Sequence, residues 1–209
     1  MNTPKGTIYI VEDNDSFRKS MVRLLQMYGY KTVAFEAASD FLLQTTLERP
    51  GCILLDVRLP DMDGLELQKI LKQQRFELPV VFMSGHGDIP MSVEAMKEGA
   101  VDFLPKPFDP EDLRDAMIQA LVRSRYEMEE EQERAEINVL IDSLTPREKE
   151  VMRWVITGML NKQIAYELGT SEKTIKVHRS RVMQKTKVSS VPELVRLASK
   201  VNIEPMGGS

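Results

Sequence analysis

CILLDVRLPDMDG, residues 52–64, sets an apolar run, Cys52-Ile53-Leu54-Leu55, against a carboxylate, Asp56, and follows it at once with turn chemistry. An apolar run of roughly four to eight residues bounded by turn signals suits a strand buried on both faces. Ending such a strand on an ionised carboxylate has a desolvation cost unless something pairs it. The fold and the function both turn on what pairs Asp56.

Outward from this stretch the pattern repeats. Strand-like runs stand at 7–11, 32–35, 53–55, 80–83 and 101–104, with helical patterns at 17–28, 38–48, 64–73 and 91–98 between them. Another helix begins at Pro110, where a proline suits the first turn. Strands alternating with helices in this way predict an α/β domain with a parallel sheet covered on both faces. Right-handed crossovers leave few topologies for it. From Leu113 to Leu144 the pattern stays helical without Gly or Pro. Its middle, RSRYEMEEEQERAE, is too polar for a core and reads as a solvated linker helix. Leu113, Met117, Leu121 and Met128 offer an interrupted seam for a short coiled coil.

The chain's 209 residues suit one large domain or two small ones, at roughly 100 to 200 residues each. No apolar stretch approaches the ~20 residues needed to span a bilayer, and MNTPKGTIYIVED lacks a signal peptide's layout. A single cysteine, Cys52, excludes an internal disulfide, packs as a small hydrophobe and fits a cytoplasmic location. The net charge of −4 divides unevenly: roughly −6 over residues 1–122, −4 over 123–143 and +6 over 144–209. The basic end is the candidate for nucleic acid.

That basic end has its own punctuation. Thr145-Pro146-Arg147-Glu148 reads as a capping box with proline at the first helical position. Val151, Trp154, Val155 and Gly158 then mark one helical face. Asn161 is placed to cap NKQIAYEL, Gly169 to stop it, and Ser171 to cap a helix from Glu172 to about Lys187. A last amphipathic helix follows Ser190, and residues 202–209 read as a disordered tail. NKQIAYEL–GTS–EKTIKVHRSRVMQK has the form of a helix-turn-helix. In its second helix Ile175, His178 and Val182 share the inward face. Lys173, Lys176, Val177, Ser180, Arg181 and Gln184 share the other, suited to a major groove and its phosphates.

In the first half, the strand ends collect chemistry. Glu12-Asp13 follow the first strand, Asp56 the third, Ser84 the fourth and Lys106 the fifth, at the edge where open parallel sheets bind ligands. Converging carboxylates repel unless a hard cation relieves them, and an all-oxygen donor set selects Mg²⁺. An aspartate there can act as a nucleophile toward a phosphoryl group, with Lys106 and the Ser84 hydroxyl binding its oxygens. Asp61-Met62-Asp63-Gly64 lacks the remaining ligands of an EF-hand and reads as the turn that starts the next helix. His86, in SGHGD, reads as a loop residue.

VEDN, LLDVRLPDMDG, FMSGHGD and DFLPKPF together resemble the receiver domain of two-component response regulators, through about residue 122. The resemblance implies a flavodoxin-like, doubly wound sheet of five parallel strands. It makes Asp56 the phospho-acceptor and assigns Mg²⁺ to Glu12, Asp13, Asp56 and the backbone carbonyl of Arg58. It assigns the switch to Ser84 and Phe103 and phosphate binding to Lys106, with the Lys106-Pro107 bond cis. LTPREKEV, NKQIAYELG and TIKVHRSRVMQK resemble the four-helix LuxR-type DNA-binding domain over residues 144–200. That implies base contacts from Lys176, Val177 and Ser180 and phosphate contacts from Lys173, Arg179 and Arg181. Thr186 departs from that pattern, standing where relatives usually carry leucine.

The order is similar to that of the NarL/FixJ subfamily: receiver over 1–122, helical linker over 123–143 and DNA-binding domain over 144–201. It implies a transcriptional regulator phosphorylated by a sensor histidine kinase, dimerising through the face around 89–104 and binding a promoter in double-stranded DNA. RNA polymerase is a further candidate partner, and a membrane is not. The rivals are an orphan regulator that ignores phosphorylation and a Mg²⁺-dependent phosphatase, the second lacking any substrate pocket in the sequence.

Overall fold

In the computed structural model, which describes residues 5–207 apart from Thr45, Arg75, Glu77 and 86–88 (and all but the side chain of Ile89), the alternating pattern closes into one parallel sheet. The elements run β1 (Thr7–Val11), α1 (Asp15–Met27), β2 (Lys31–Phe35), α2 (Ala38–Leu42), β3 (Gly51–Asp56), α3 (Gly64–Gln73), β4 (Val80–Ser84), α4 (Ile89–Lys97), β5 (Asp102–Pro105) and α5 (Pro110–Asp142). The spatial order is β2-β1-β3-β4-β5. The chain therefore leaves β1 toward one edge and continues from β3 toward the other, and a crevice opens where the direction reverses.

The apolar runs are continuous because β1, β3 and β4 are buried on both faces. Alternate residues separate cleanly. Ile8, Ile10, Cys52, Leu54, Val81 and Met83 pack with Met21 and Leu25 of α1 and with Leu113, Met117 and Leu121 of α5. Tyr9, Val11, Ile53, Leu55, Val80 and Phe82 pack on the other face with Phe41, Leu67, Leu71 and Ala95. Leu113, Met117 and Leu121 are thus covered by the sheet of their own unit, which corrects the coiled-coil seam.

Two stretches differ from the sequence reading. The helix expected over 38–48 stops at Leu42. Farther on, the N–H of Glu48 donates to the Tyr9 hydroxyl at 2.6 Å, while its carboxylate accepts from Thr7 at 2.8 Å and Lys31 at 2.5 Å. A tertiary partner takes the N–H that a longer helix would have directed four residues back. Asp61 and Asp63 have separate capping roles. Asp63 caps α3 by accepting from Leu65 N–H at 2.8 Å, and Asp61 accepts from the Ala38 and Ser39 N–H groups at 3.2 and 2.8 Å, capping α2 from another loop. Gly64 is required by close approach, since a Cβ there would stand 2.5 Å from the Asp56 carbonyl oxygen.

The chain divides into two compact units, Met1–Glu129 and Glu130–Ser209, with the division inside α5. The second unit contains α6 (Pro146–Val155), α7 (Asn161–Glu167), α8 (Glu172–Lys185) and α9 (Val191–Lys200). Its core joins Val151, Met152, Val155, Ile164, Ile175, Val182, Leu194 and Ala198 with Ile137 and Ile141 from the end of α5. The stretch read as solvated, 123–136, is exposed or half-buried except for Ser124, and it is the linker's last turns beyond it that supply Ile137 and Ile141 to a core. The Thr145 capping box forms as expected, with Glu148 accepting from Thr145 N–H at 2.9 Å. The tail read as disordered is held through Met206: Arg153 Nε donates to the Glu204 carbonyl at 3.0 Å, Met206 N–H to the Arg153 carbonyl at 3.2 Å, and Ile203 packs on the core. Gly208, Ser209 and His86 lie outside the described residues.

Candidate functional site

The C-terminal ends of β1 and β3 bring Glu12, Asp13 and Asp56 together, with one oxygen from each within 4.8 Å of the others. Glu12 and Asp56 are buried and Asp13 is exposed. Lys106, just past β5, reaches back across the sheet to both buried acids. Its Nζ donates to Glu12 Oε2 and to Asp56 Oδ2 at 2.6 Å each. Asp56 is thus paired by Lys106 on one oxygen and by the Arg58 N–H, at 3.0 Å, on the other.

Burial, first, pushes the Glu12 carboxyl up from 4.5 to about 7, against the hydrogen bond from Lys106 that pulls it down. Its other oxygen accepts from the Asn14 N–H at 3.2 Å. The loop carrying both β1 acids is clamped by Arg18, whose Nη1 donates to the Glu12 and Asp13 carbonyls at 2.7 and 3.1 Å. These groups open onto a cavity of about 350 Å³ lined by Glu12, Asp13, Phe17, Asp56, Arg58 and Lys106 among others.

The remaining expected residues are set back. Ser84 is buried at the end of β4, its carbonyl accepting from the Lys106 N–H at 2.7 Å. Gly85, beside it, borders the cavity. Phe103 is half-buried and tilted against Phe82, with ring centroids 6.3 Å apart. The Lys106-Pro107 bond is cis. Phe17 and Arg18 escaped the sequence reading: a Phe and an Arg in a first helical turn carry no signal of what lies across the sheet.

In the second unit, Ser171 caps α8 by accepting from Thr174 N–H at 3.1 Å. Ile175 and Val182 are buried, while Lys173, Lys176, Val177, Ser180, Arg181 and Gln184 are all exposed. Two cations of the helix have internal partners instead. Arg179, placed near phosphates by the resemblance, is half-buried and donates to the Asn161 side-chain oxygen at 3.0 Å. Asn161 accordingly does not cap α7; the cap residue is Leu160, whose N–H donates to Gln163 Oε1 at 2.8 Å. Lys185 donates to Glu148 at 2.6 Å and to the Ser143 carbonyl at 3.0 Å, fixing the end of α8 to the start of α6. The buried Thr186 hydroxyl is satisfied by the Val182 carbonyl at 2.8 Å, so its departure from leucine leaves no orphan group.

Residues 8–118 match the family described as the response regulator receiver domain, and residues 142–198 match bacterial regulatory proteins of the luxR family. Nodulation protein W of Bradyrhizobium diazoefficiens is 42% identical over 95% of this chain and 88% of its own length. The transcriptional regulatory protein FixJ of the same organism is 42% identical over 96% of this chain and 98% of its own. Among solved structures, the response regulator StyR aligns with a TM-score of 0.80 at 43% identity, covering 94% of this chain and 99% of its own. An acidic, lysine-bridged strand-end site and an exposed basic helix after a tight turn agree with those two matches, and the chain belongs to the NarL/FixJ-type response regulators, transcriptional regulators that join a receiver domain to a LuxR-type DNA-binding domain.

Proposed function

We propose that Asp56 is the phosphoryl acceptor of this regulator, that a sensor histidine kinase is the donor, and that phosphorylation promotes receiver dimerisation and promoter binding. The observation that carries the reading is the Lys106 ammonium held 2.6 Å from both Glu12 and Asp56 at the sheet's switch point. An Asp56 carboxylate oxygen attacks phosphorus, forming an O–P bond as the P–N bond to the donor histidine breaks and the imidazole nitrogen takes the electron pair. Lys106 is placed to pass from carboxylate to phosphoryl oxygens. Ser84 then turns its hydroxyl toward the phosphoryl group and Phe103 turns inward, altering the face around 89–104.

The donor set fits Mg²⁺: three carboxylate oxygens in reach of one another, with no nitrogen or sulfur among them. Glu12, Asp13, Asp56 and the Arg58 carbonyl would hold the ion, which when bound neutralises charge developing on the transferred group. The chain's own catalysis extends to phosphoryl uptake and loss. No helix among the described residues is long and apolar enough to cross a membrane, and the reading places the protein in the cytoplasm. On DNA, Lys176, Val177 and Ser180 face bases, and Lys173 and Arg181 face phosphates, with two recognition helices spaced about one helical turn apart. RNA polymerase is the partner we propose at the promoter.

Intact mass after incubation with Mg²⁺ and acetyl phosphate tests the site. One phosphoryl adduct is expected, absent in Asp56→Asn and absent when EDTA is present from the start. An adduct that survives in Asp56→Asn would place the acceptor elsewhere. Operator affinity unchanged by the adduct would favour the orphan regulator.

A further inference from the structure

Phe17 carries no charge and belongs to none of the sequence blocks that identify the family, yet its ring borders the acidic cavity. It stands on the first turn of α1, with its N–H donating to the Asn14 side-chain oxygen at 3.0 Å, so the cap fixes where the ring starts. The Lys106 Nζ lies 4.3 Å from the ring centroid while donating to Glu12 and Asp56. A lysine ammonium on its four-carbon stem is a mobile point charge, and an aromatic face attracts it without needing a particular donor direction. The same ring meets Phe108 edge-on, at 6.1 Å and 81°. Phe108 follows the cis Lys106-Pro107 bond, so one side chain holds both the ammonium and the loop that bears it.

We infer that Phe17 is a positioning residue for phosphoryl transfer, acting through Lys106. The inference rests on Asp56 being the acceptor. When Asp56 changes from carboxylate to acyl phosphate, the ammonium exchanges its Asp56 contact for phosphoryl oxygens. The Phe17 face is a contact that requires neither partner and persists through the exchange. With acetyl phosphate as donor, an Asp56 oxygen forms the new O–P bond, the P–O bond to the acetyl group breaks, and acetate leaves with the electron pair.

The test is the rate of adduct formation by timed intact mass, with acetyl phosphate and saturating Mg²⁺, for Phe17→Tyr, Phe17→Leu and Phe17→Ala. Tyr keeps the π face and should stay close to wild type. Leu keeps apolar bulk without the face and should slow uptake roughly 3- to 30-fold, the range a cation–π contact supplies. In a Lys106→Ala background Phe17→Leu should cause no further slowing, because the two residues act as one unit. Uptake by Phe17→Leu at the wild-type rate would overturn the inference, as would an equal slowing with Lys106 absent. Wild-type protein that takes up no phosphoryl group at Asp56 would overturn the acceptor reading and this inference with it.

Discussion

At the scale of single residues, the two functional surfaces differ in how their charges are held. The receiver's ammonium, Lys106, is surrounded: two carboxylates and a ring face contact it. On α8 the outer cations are exposed, and those that are internal, Arg179 and Lys185, hold neighbouring helices. That division predicts distinct mutational responses. Lys176→Ala should weaken specific operator binding roughly tenfold, the loss of one base-directed contact, while leaving adduct formation at Asp56 unchanged. Gel shift and intact mass on the same preparation check it, and parallel loss of both would contradict the separation. The sequence identified the exposed stripe of α8 correctly by helical spacing. It could not show that Arg179 is turned toward Asn161, because both lie on helix surfaces whose meeting depends on how α7 and α8 cross.

At the scale of elements, most caps were legible, with Asn161, which α7 does not use, an exception. Thr145, Asp63, Ser171 and Ser190 each accept from a backbone N–H at the start of the following helix, as short polar residues before an amphipathic run should. Ends were less legible. α8 ends at Lys185, and Lys187 sits in the left-handed region at φ 57°, where its Cβ is strained and glycine is favoured. Lys187→Gly should therefore stabilise the DNA-binding unit by about 1 kcal/mol, read as a higher urea midpoint in the fluorescence of Trp154, the chain's single tryptophan. An unchanged or lower midpoint would mean that strain is not what limits this turn. α2 starts at Ala38 as read but stops at Leu42 rather than 48, because Glu48 is taken by Tyr9, Thr7 and Lys31, partners far off in the chain.

At the scale of the whole molecule, each unit has its own core and its own response to acid. Glu12, pushed up to about 7 chiefly by burial, keeps a proton between 4.5 and 7 that the unfolded chain has released. The receiver without divalent cation should therefore lose stability as pH rises through that window, on the order of 3 kcal/mol. Glu148 runs the other way. The hydrogen bond from Lys185, then that from the Thr145 backbone, holds it down at about 2, so its contribution is complete above 4.5 and lost as pH falls toward 2. Urea titrations in EDTA, read by peptide-resolved hydrogen exchange, should show β1 and β3 better protected at pH 5 than at pH 8. Peptides of α6 and α8 should weaken only below about pH 4.5. A common pH profile for both units would refute the assignment of these two carboxyls.

By itself the sequence determined the alternation of strands and helices, the strand ends that carry acid, hydroxyl and lysine, and the helix-turn-helix with its exposed stripe. Each of these is written in local periodicity and turn chemistry, which neighbours in the chain impose on one another. Only the tertiary structure decided that Lys106 meets Glu12 across 94 positions and Asp56 across 50, and that Phe17 covers the same ammonium. It alone took Leu113, Met117 and Leu121 into the receiver core and pinned the tail to α6. A repeating pattern reports which face of an element is buried; which loops and side chains then meet depends on the order and crossing of elements far apart in the chain.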